Sequence, residues 1–434
     1  MRRIVLLLAP ALVPALLCAQ EGTATPARPI SLLEAVRLAQ RNAPAEVQAR
    51  NSIRSASASV KSAYAAFIPA VSIGASAGYD PNGGPRVIND RTINGTRWTG
   101  SDALNLNVNL FDGGRRYFGI GTAKANVVAA EANEVNQRFL TALSVQQAFY
   151  NALAARESES AARSQLQQAM QQQSSSNSRV AAGVATRSDS LRALIQVQNA
   201  QLALLTARNN LETANASLTR LVATPFSVTA EPADTADTGP ALPDSVELAR
   251  LAAEGPTVAA ATASEVAARS AARAARTPYL PTLDASFGRS GAGSDIAYGY
   301  QKDFTYQTAL RFSLSYPLFN QLQREQQKVF ADVAVSNAEA TLRDTRAAQQ
   351  QLLVQNLSTV RTGEAQVAIQ RSTVIAAEED LRVVQQRYNL GASTLLDVLT
   401  SQTQLTQART ALIQARFTLR VAKAQISALI GREF

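Results

Sequence analysis

The sequence predicts a mainly α-helical protein that is internally duplicated and has a small β part. Three observations predict it. The same order of segments occurs twice, long proline-free stretches have helical periodicity, and four shorter stretches alternate between apolar and polar residues. Gly183 and Gly391 are equivalent positions of the two copies and lie 208 residues apart (391 − 183 = 208). A period of this length indicates a duplicated half rather than a short solenoid repeat.

Each copy is predicted to contain a helix, two strands, a long helix and a shorter helix. We assign residues 20–224 to the first copy and residues 244–434 to the second copy. Residues 225–243 are rich in Pro, Asp and Thr and are expected to form a surface coil that links the copies. The first helix is expected to begin at a capping box, in which Ser31 precedes Glu34, and to end near residue 67.

Each copy contains one very long predicted helix. Residues 115–182 and 321–390 contain no proline and have helical periodicity. At ~1.5 Å per residue each helix would be on the order of 100 Å long, and a globular core cannot bury such a helix. The helices are rich in Ala, Ser, Gln and Thr, which favours a single-walled tube with water on both faces over a solid bundle.

A glycine turn ends each long helix. Gly183 and Gly391 are placed as C-terminal caps, and a capping box follows each glycine to begin the shorter helix. The capping residues are Thr186 and Asp189 in the first copy and Thr394 and Asp397 in the second copy. The shorter helices are expected to run to about residues 222 and 430.

Four segments have a period of two residues, which is typical of strands. These segments lie at residues 71–79, 104–111, 283–288 and 310–316. Asn105, Asn107 and Asn109 share one face of the second segment, although Asn is a poor strand former. This pattern is typical of a strand with one face in water and the other in lipid, and strands of 9–11 residues suit a tilted membrane strand.

Four strands are too few to close a membrane barrel, since the smallest bacterial barrels have about eight. The open edges would leave backbone groups unpaired in lipid. We therefore expect other copies of the chain to complete the sheet. The alternation of residues also fits a soluble, half-buried hairpin in each half, and this alternative stays open from the sequence.

Residues 1–19 have the pattern of an export signal. Arg2 and Arg3 precede an apolar run of about 14 residues, which is short for a transmembrane helix. Cys18 is an alternative lipidation site, although Leu17 stands where a small residue is preferred. No other segment has the ~20 apolar residues of a spanning helix. We therefore expect an exported chain that, if it crosses a membrane, crosses it as β-strands.

The composition argues against an enzyme. The 434 residues include no His and one Cys, which removes the commonest general base, the commonest metal ligand and any disulfide framework. The sequence has no recognisable nucleophile–base set, so we expect no catalytic site, metal or cofactor. The net charge of +9 is not concentrated in a basic cluster with interleaved aromatic residues, so nucleic acid is not an expected partner.

Short motifs that occur in the same order in both halves resemble the TolC-like outer membrane efflux protein family. The motifs of the first half are SLLEA at 31–35, FIPAV at 67–71 and LFDGGR at 110–115. Those of the second half are YLPTL at 279–283, YPLFN at 316–320 and RYNLGASTLLDVL at 387–399. Each motif is weak alone, but their repeated order covers nearly the whole mature chain.

The resemblance implies a homotrimer that forms a twelve-strand β-barrel in the outer membrane and a twelve-helix α-helical barrel through the periplasm. The family is the passive exit duct of tripartite efflux pumps and type I secretion systems, which carry drugs, small molecules or secreted substrates. The implied partners are a periplasmic adaptor (membrane fusion) protein, an inner-membrane pump of RND, ABC or MFS type, and outer-membrane lipid. A secreted coiled-coil structural or adhesion protein without a pore is the alternative function.

The resemblance also implies a pore constriction at the start of the last helix. Asp397 falls on the family position that lines the closed periplasmic mouth, where three copies would form a ring of carboxylates that attracts cations. Thr400 lies one turn later, where the family often has a second acidic residue. Asp397 is equally the acidic partner of the Thr394 capping box, and the two roles are compatible.

A mouth latch is implied at Asp189 and Tyr388. In the family these positions link neighbouring helices across the two turns and keep the mouth shut. Asp189 has an alternative role as a helix cap with Thr186, and Ser393 stands where some members have a basic residue.

The two turns are the implied contact with the adaptor, although an ordinary turn between two consecutive helices explains them as well. The implied adaptor-contact residues are Gly183, Val184, Ala185, Gly391, Ala392 and Ser393.

Overall fold

The computed structural model of this chain consists of long paired helices and one four-stranded sheet. The structure describes residues 27–81, 86–88, 91–93, 98–232, 243–294 and 304–432. The predicted export signal at residues 1–19, with Cys18, lies outside the described residues.

The two halves contain the predicted long helices and strands. The first half comprises β1 (Arg28–Ile30), α1 (Leu32–Asn42), α2 (Pro44–Ala65), β2 (Ala70–Tyr79), β3 (Arg86–Ile88), β4 (Arg91–Ile93), β5 (Trp98–Phe111), α3 (Arg115–Ala181) and α4 (Arg187–Val222). The linker contributes β6 (Val228–Ala230). The second half comprises α5 (Ser245–Ala253), α6 (Pro256–Ala274), β7 (Thr282–Ser294), β8 (Thr305–Ser315), α7 (Gln323–Asn389) and α8 (Leu395–Ile430).

The long helices are equal in length in the two halves. Helices α3 and α7 have 67 residues each, and α4 and α8 have 36 residues each. At ~1.5 Å per residue the long helices extend about 100 Å, as the sequence predicted. None of the helices in the described part of the chain combines the length and the hydropathy that crossing a bilayer requires.

The prediction of one helix from Ser31 to about residue 67 is wrong, because Pro44 divides this segment into α1 and α2. Ala43 is extended (φ −60°, ψ 133°) and Pro44 is the first residue of α2. Proline disfavours helical conformation in the residue before it, which places the break at Ala43. The same break separates α5 from α6, where Gly255 precedes Pro256 at an offset of 212 residues (256 − 44 = 212).

The capping box predicted at the first helix is only half formed. The Ser31 hydroxyl accepts a hydrogen bond from the Glu34 backbone N–H at 3.3 Å. The Glu34 carboxylate instead pairs with Arg28, at 3.2 Å. The start of α1 is therefore held by one cap bond and a surface ion pair.

The prediction that residues 225–243 form only coil is also wrong. Val228–Ala230 is strand β6, which pairs in parallel with β1. Val228 and Ile30 are buried, so this short pair closes an apolar cluster at the start of the first half. A three-residue pairing of this kind leaves little periodic signal in a sequence.

The hydrophobic core lies around the middle of α3. Phe149 and Leu153 of α3 are buried against Leu218 and Val222 of α4, with Phe417 of α8 in the same cluster. A second cluster joins α5, α7 and α8. Two small clusters between α3 and α4 consist mostly of Ala with single Leu or Val residues, as expected for helices that pack side by side in one layer. A further small cluster near the second turn contains Tyr388, Leu395 and Val398.

The sheet joins the two halves in the order β2-β5-β7-β8. All three pairings are antiparallel, and β5 with β7 is the contact between the halves. Within the described residues, β2 and β8 each have a strand on one side only. Both are exposed along their whole length, so these hairpins do not pack on the chain's own helices.

The register confirms the predicted alternation of faces, since residues directly opposite each other share a face. The apolar face carries Val71, Ile73, Leu104, Leu106, Phe287, Leu310, Phe312 and Leu314, and the charged residues Asp102 and Arg289 lie on the same face further along the strands. The polar face carries Ser72, Ser76, Asn105, Asn107, Asn109, Asp284, Ser286, Arg311 and Ser313. On this polar face Asn109 donates to Asp284 at 2.7 Å across β5 and β7.

Replacing Gly255 by Ala should destabilise the fold by about 1–3 kcal/mol, the usual cost of overpacking. A Cβ atom at Gly255 would overlap the carbonyl oxygen of Leu429, near the end of α8. Gly121→Ala is the matched control, because a Cβ atom there meets no atom within 4 Å and Ala favours a helix interior by about 1 kcal/mol. Thermal unfolding followed by circular dichroism measures both variants, and equal melting temperatures would contradict the packing at Gly255.

Candidate functional site

The two turns that join the long and shorter helices have the same backbone geometry. Gly183 and Gly391 have φ values of 75° and 77°, in the left-handed region that favours glycine. In the first turn the Val184 N–H donates to the Arg179 carbonyl at 3.0 Å, and the equivalent bond of the second turn measures 2.8 Å. This is the usual glycine closure of a helix C-terminus.

The turns form an exposed tip with apolar side chains at its surface. Val184 is 73% exposed and Leu390 is 84% exposed. Of the residues implied as adaptor contacts, Gly183, Val184, Gly391 and Ala392 are exposed, and Ala185 and Ser393 are partly buried. A Cβ atom at either glycine would meet nothing within 4 Å, so both turns present open backbone to the surroundings.

Both predicted capping boxes form. In the first, Asp189 accepts from the Thr186 backbone N–H at 3.1 Å and from its hydroxyl at 2.8 Å. In the second, Asp397 accepts from the Thr394 backbone N–H and hydroxyl, each at 2.8 Å. The Ser393 hydroxyl donates to the same Asp397 oxygen at 2.8 Å, an additional bond of the second turn.

These donors change the acidity of Asp397. The backbone N–H of Thr394, followed by the hydroxyls of Thr394 and Ser393, holds the pKa of Asp397 below its ordinary value of 3.8. The carboxylate is exposed at the tip, so it is ionised and accessible to cations throughout the neutral range. The cap and the carboxylate ring are thus compatible roles for Asp397.

Thr400 lies one turn further along α8 and is exposed. Its hydroxyl donates to the Leu396 carbonyl of its own helix at 2.9 Å. The Thr400 hydroxyl is therefore occupied within its own helix, and the residue adds no charge.

No hydrogen bond joins Asp189 to Tyr388 in the part of the chain that the structure describes. Asp189 bonds to Thr186, whereas Tyr388 is buried at the end of α7. The predicted latch is therefore absent within one chain and stays a prediction for contacts between chains.

Arg179 links the two turns within one chain and was not predicted. Its guanidinium donates to the Tyr388 carbonyl at 3.1 Å and to the Asn389 carbonyl at 3.0 Å. It also lies 4.5 Å from the centre of the Tyr388 ring, a cation–π contact. The available sequence signal was a basic residue in the last turn of a helix, which complements the helix dipole but does not identify the carbonyls of another helix.

Further polar contacts hold α7 against α8 near the tip. The Ser401 hydroxyl donates to Asp380 at 2.6 Å, and Arg409 pairs with Glu378 at 2.7 Å. Ser401 is buried, whereas the ion pair is largely exposed and contributes little to stability.

Aromatic side chains mark the end of the sheet that lies farthest from the helices. The rings of Tyr79 and Trp98 are 4.9 Å apart, and those of Phe304 and Tyr306 are 5.1 Å apart. Arg289 lies 4.7 Å from the centre of the Tyr306 ring. Amphipathic rings next to an apolar band are typical of the boundary between lipid and water.

The outer membrane efflux protein family matches the chain over residues 35–224 and 248–432. The two matched segments are the two halves described above and together make up most of the sequence. The chain therefore belongs to the outer membrane efflux protein family. No curated protein matches the sequence significantly.

Solved structures of outer-membrane channels have the same fold. CusC, described as forming a transmembrane channel, is 18% identical, covers 93% of this chain and 92% of its own, and has a TM-score of 0.77. VceC from Vibrio cholerae is 18% identical, with 93% and 96% covered and a TM-score of 0.73. The open state of MtrE from Neisseria gonorrhoeae is 19% identical, with 92% and 89% covered and a TM-score of 0.72.

Family membership makes this chain an outer-membrane efflux channel protein that extends into the periplasm. The predicted function class, location and fold class are confirmed, and the alternative of a pore-free structural or adhesion protein is not supported. The family is one of passive channels rather than enzymes, in agreement with the prediction from composition.

Replacing Thr394 by Val should raise the pKa of Asp397, because the variant loses the hydroxyl donor and keeps the backbone donor. A lowered carboxyl pKa stabilises the cap above the ordinary value of 3.8, and this stabilisation is lost as the pH falls through the lowered value. Thr394→Val should therefore lose this stabilisation at a higher pH than the wild-type protein. Carboxyl carbon-13 NMR, assigned with Asp397→Asn, measures the midpoint.

Thr400→Val is the control for this measurement, since the Thr400 hydroxyl bonds only to its own helix. It should leave the Asp397 midpoint unchanged. If Thr394→Val and wild type titrate at the same pH, the hydroxyl of Thr394 does not set the acidity of Asp397.

Proposed function

We propose that three copies of this chain assemble into the conduit, so that the sheet closes into a barrel and the helices into a tube. The observation that carries this proposal is the pair of open sheet edges. In the described residues β2 and β8 have free edges, and unpaired backbone groups in lipid cost several kcal/mol each. A ring of copies pairs every edge without any further protein.

The contact between the two halves indicates how the copies join. Strand β5 is the second strand of the first half and pairs with β7, the first strand of the second half. By the internal repeat, β8 is equivalent to β5, and β2 is equivalent to β7. Strand β8 of one copy is therefore expected to pair with β2 of the next, which keeps the whole ring antiparallel.

The hairpins of the two halves have the same register. Val71 faces Leu106 in the first hairpin, and Leu283 faces Leu314 in the second. The first strands are offset by 212 residues (283 − 71 = 212) and the second strands by 208 (314 − 106 = 208). The sheet thus follows the internal repeat residue by residue.

The same two offsets predict the register between copies. Leu104 of β5 faces Arg289 of β7. Their equivalents are Phe312 (104 + 208 = 312) and Ala77 (289 − 212 = 77). Phe312 of one copy is therefore expected to face Ala77 of the next copy, and both residues belong to the apolar face.

A chain with Ala77→Cys and Phe312→Cys should form covalent dimers and trimers on oxidation, because directly opposite Cβ atoms in a sheet are about 5 Å apart. Ser76→Cys with Phe312→Cys is the matched control and should not link, since Ser76 points to the opposite face. Non-reducing electrophoresis of the detergent-extracted protein measures the products. Equal linking by both pairs, or by neither, would reject this assembly.

The exposed tip supports a periplasmic adaptor as the partner at the turns. Val184 and Leu390 expose apolar side chains there, and contiguous exposed apolar surface marks sites of protein–protein interaction. The pump on the other side of the adaptor is proposed to be an inner-membrane pump of RND, ABC or MFS type. The cargo is proposed to be drugs, small molecules or secreted substrates that this pump selects.

The three copies of Asp397 are proposed to line the narrow periplasmic mouth. Purified protein in planar bilayers should give discrete conductance steps with a preference for cations, because a ring of ionised carboxylates concentrates cations. Asp397→Asn should reduce that preference, and Thr400→Val, which changes no charge, is the control. A reversal potential that Asp397→Asn leaves unchanged in a salt gradient would contradict the ring.

The latch is proposed to join Tyr388 to Asp189 of a neighbouring copy, since the two do not bond within one chain. Tyr388→Phe removes the phenol hydroxyl and keeps the ring that lies under Arg179. The variant should open more often, because a hydrogen bond to a carboxylate contributes about 1–3 kcal/mol. Single-channel dwell times identical to those of wild type would argue against the latch.

A further inference from the structure

The two halves carry the same arginine in the last turn of their long helices. Arg179 ends α3 and Arg387 ends α7, at an offset of 208 residues (387 − 179 = 208). The last carbonyls of a helix lack regular intrahelical partners and attract cations. Arg179 satisfies two of them in α7, at Tyr388 and Asn389.

Arg387 has no equivalent partner in the described part of its own chain. Its side chain is exposed and makes no hydrogen bond in the described residues. Its charge lies close enough to Asp397 to favour the ionised carboxylate, but the two form no ion pair. The second arginine is therefore available for a contact outside the chain.

The internal repeat indicates which groups Arg387 meets in the assembly. In the proposed ring, six halves follow one another. The contact between the first and second halves of one copy is therefore equivalent to the contact between the second half of that copy and the first half of the next copy. The carbonyls that Arg179 contacts, at 388 and 389, have equivalents at Val180 (388 − 208 = 180) and Ala181 (389 − 208 = 181). Both belong to the last turn of α3.

We propose that Arg387 donates its guanidinium hydrogens to the carbonyls of Val180 and Ala181 of a neighbouring copy. This proposal rests on the proposed trimer and adds a specific contact between copies at the periplasmic tip. Six arginine contacts then encircle the tip, and they alternate between contacts within a copy and contacts between copies.

The two kinds of contact differ in strength. The Arg179 guanidinium stacks on the aromatic ring of Tyr388, whereas the equivalent position under Arg387 is Val180, which has no ring. The contact between copies thus lacks the cation–π component of the contact within a copy. When the tip opens, the contacts between copies are therefore expected to break first. The two turns of each chain stay together, because Arg179 holds them.

Thiol cross-linking tests the contact in the full-length trimer, with native Cys18 replaced by Ser. Arg387→Cys with Ala181→Cys should give covalent dimers and trimers with a short bifunctional thiol reagent. The double variant with Arg179→Cys and Asn389→Cys is the control, because it tests the equivalent contact within one chain. Its cross-linked product should keep the mass of a single chain after denaturation.

The double variant with Ala77→Cys and Phe312→Cys in the sheet distinguishes a failure of the Arg387 contact from a failure of the trimer. If the sheet pair links copies and the Arg387 pair does not, the Arg387 contact is wrong and the trimer stands. If neither pair links copies, the trimer fails and the Arg387 contact fails with it. Linking of the Arg387 pair between copies supports both.

Single-channel recording gives an independent readout that needs no cysteine. Arg387→Ala should raise the ratio of open to closed time by about tenfold or more, since charged hydrogen bonds in three copies are lost. Arg387→Lys should restore part of the closed state, because an ammonium group donates to carbonyls without the fork geometry of a guanidinium. An unchanged ratio in Arg387→Ala would overturn the proposed role of this contact in closure.

Discussion

Unpaired backbone groups at the two edges of the sheet are the constraint on which the rest of the structure depends. An α-helix satisfies its own backbone, but β2 and β8 each leave one row of N–H and C=O groups without a strand in the described chain. In a bilayer no water replaces these partners, so the free energy of the lone chain in lipid is unfavourable. The internal repeat resolves the problem, because the β5 and β7 pairing within the chain is a template for pairing between β8 and β2 of successive copies. Trimerisation is then a requirement of backbone chemistry rather than an addition to a folded monomer.

The helical tip follows a second and more local set of rules. Glycine in the left-handed conformation ends each long helix, and a Thr and Asp pair begins the next helix, so both turns are fixed by short-range hydrogen bonds. These bonds place Asp397 and Asp189 at equivalent positions of the two turns, and Asp397 is the more exposed of the two. Helix capping thus positions the negative charge of Asp397 at the tip. A further donor from Ser393 distinguishes the second carboxylate from the first.

Local patterns explain what could be predicted from the sequence, and long-range contacts explain what could not. The turns between α3 and α4 and between α7 and α8 carry a glycine and a capping box, so the helix ends at these turns were predictable. The break at Pro44 was equally local and would have been predicted had the proline been weighed against the helical period. The β1 and β6 pair joins residues about two hundred positions apart over three residues, and no local period encodes it. Arg179 was missed for the same reason, since its acceptors lie on another helix and are backbone groups that every sequence has.

The two halves keep one backbone while their side chains diverge. Gly113 and Gly114 have positive φ values before α3, and the equivalent Gln321 and Leu322 adopt the same region before α7 (φ 57° and 62°), although such residues rarely do so. The chain therefore tolerates local strain to preserve the geometry of the repeat. At the tip the divergence is chemical, since Tyr388 and Ser393 of the second half correspond to Val180 and Ala185 of the first. An exact repeat would give six equivalent boundaries around the tube, all of equal strength. Divergence at these few positions makes the boundaries between copies different from those within a copy, which a closed tube requires if it is to open along defined lines.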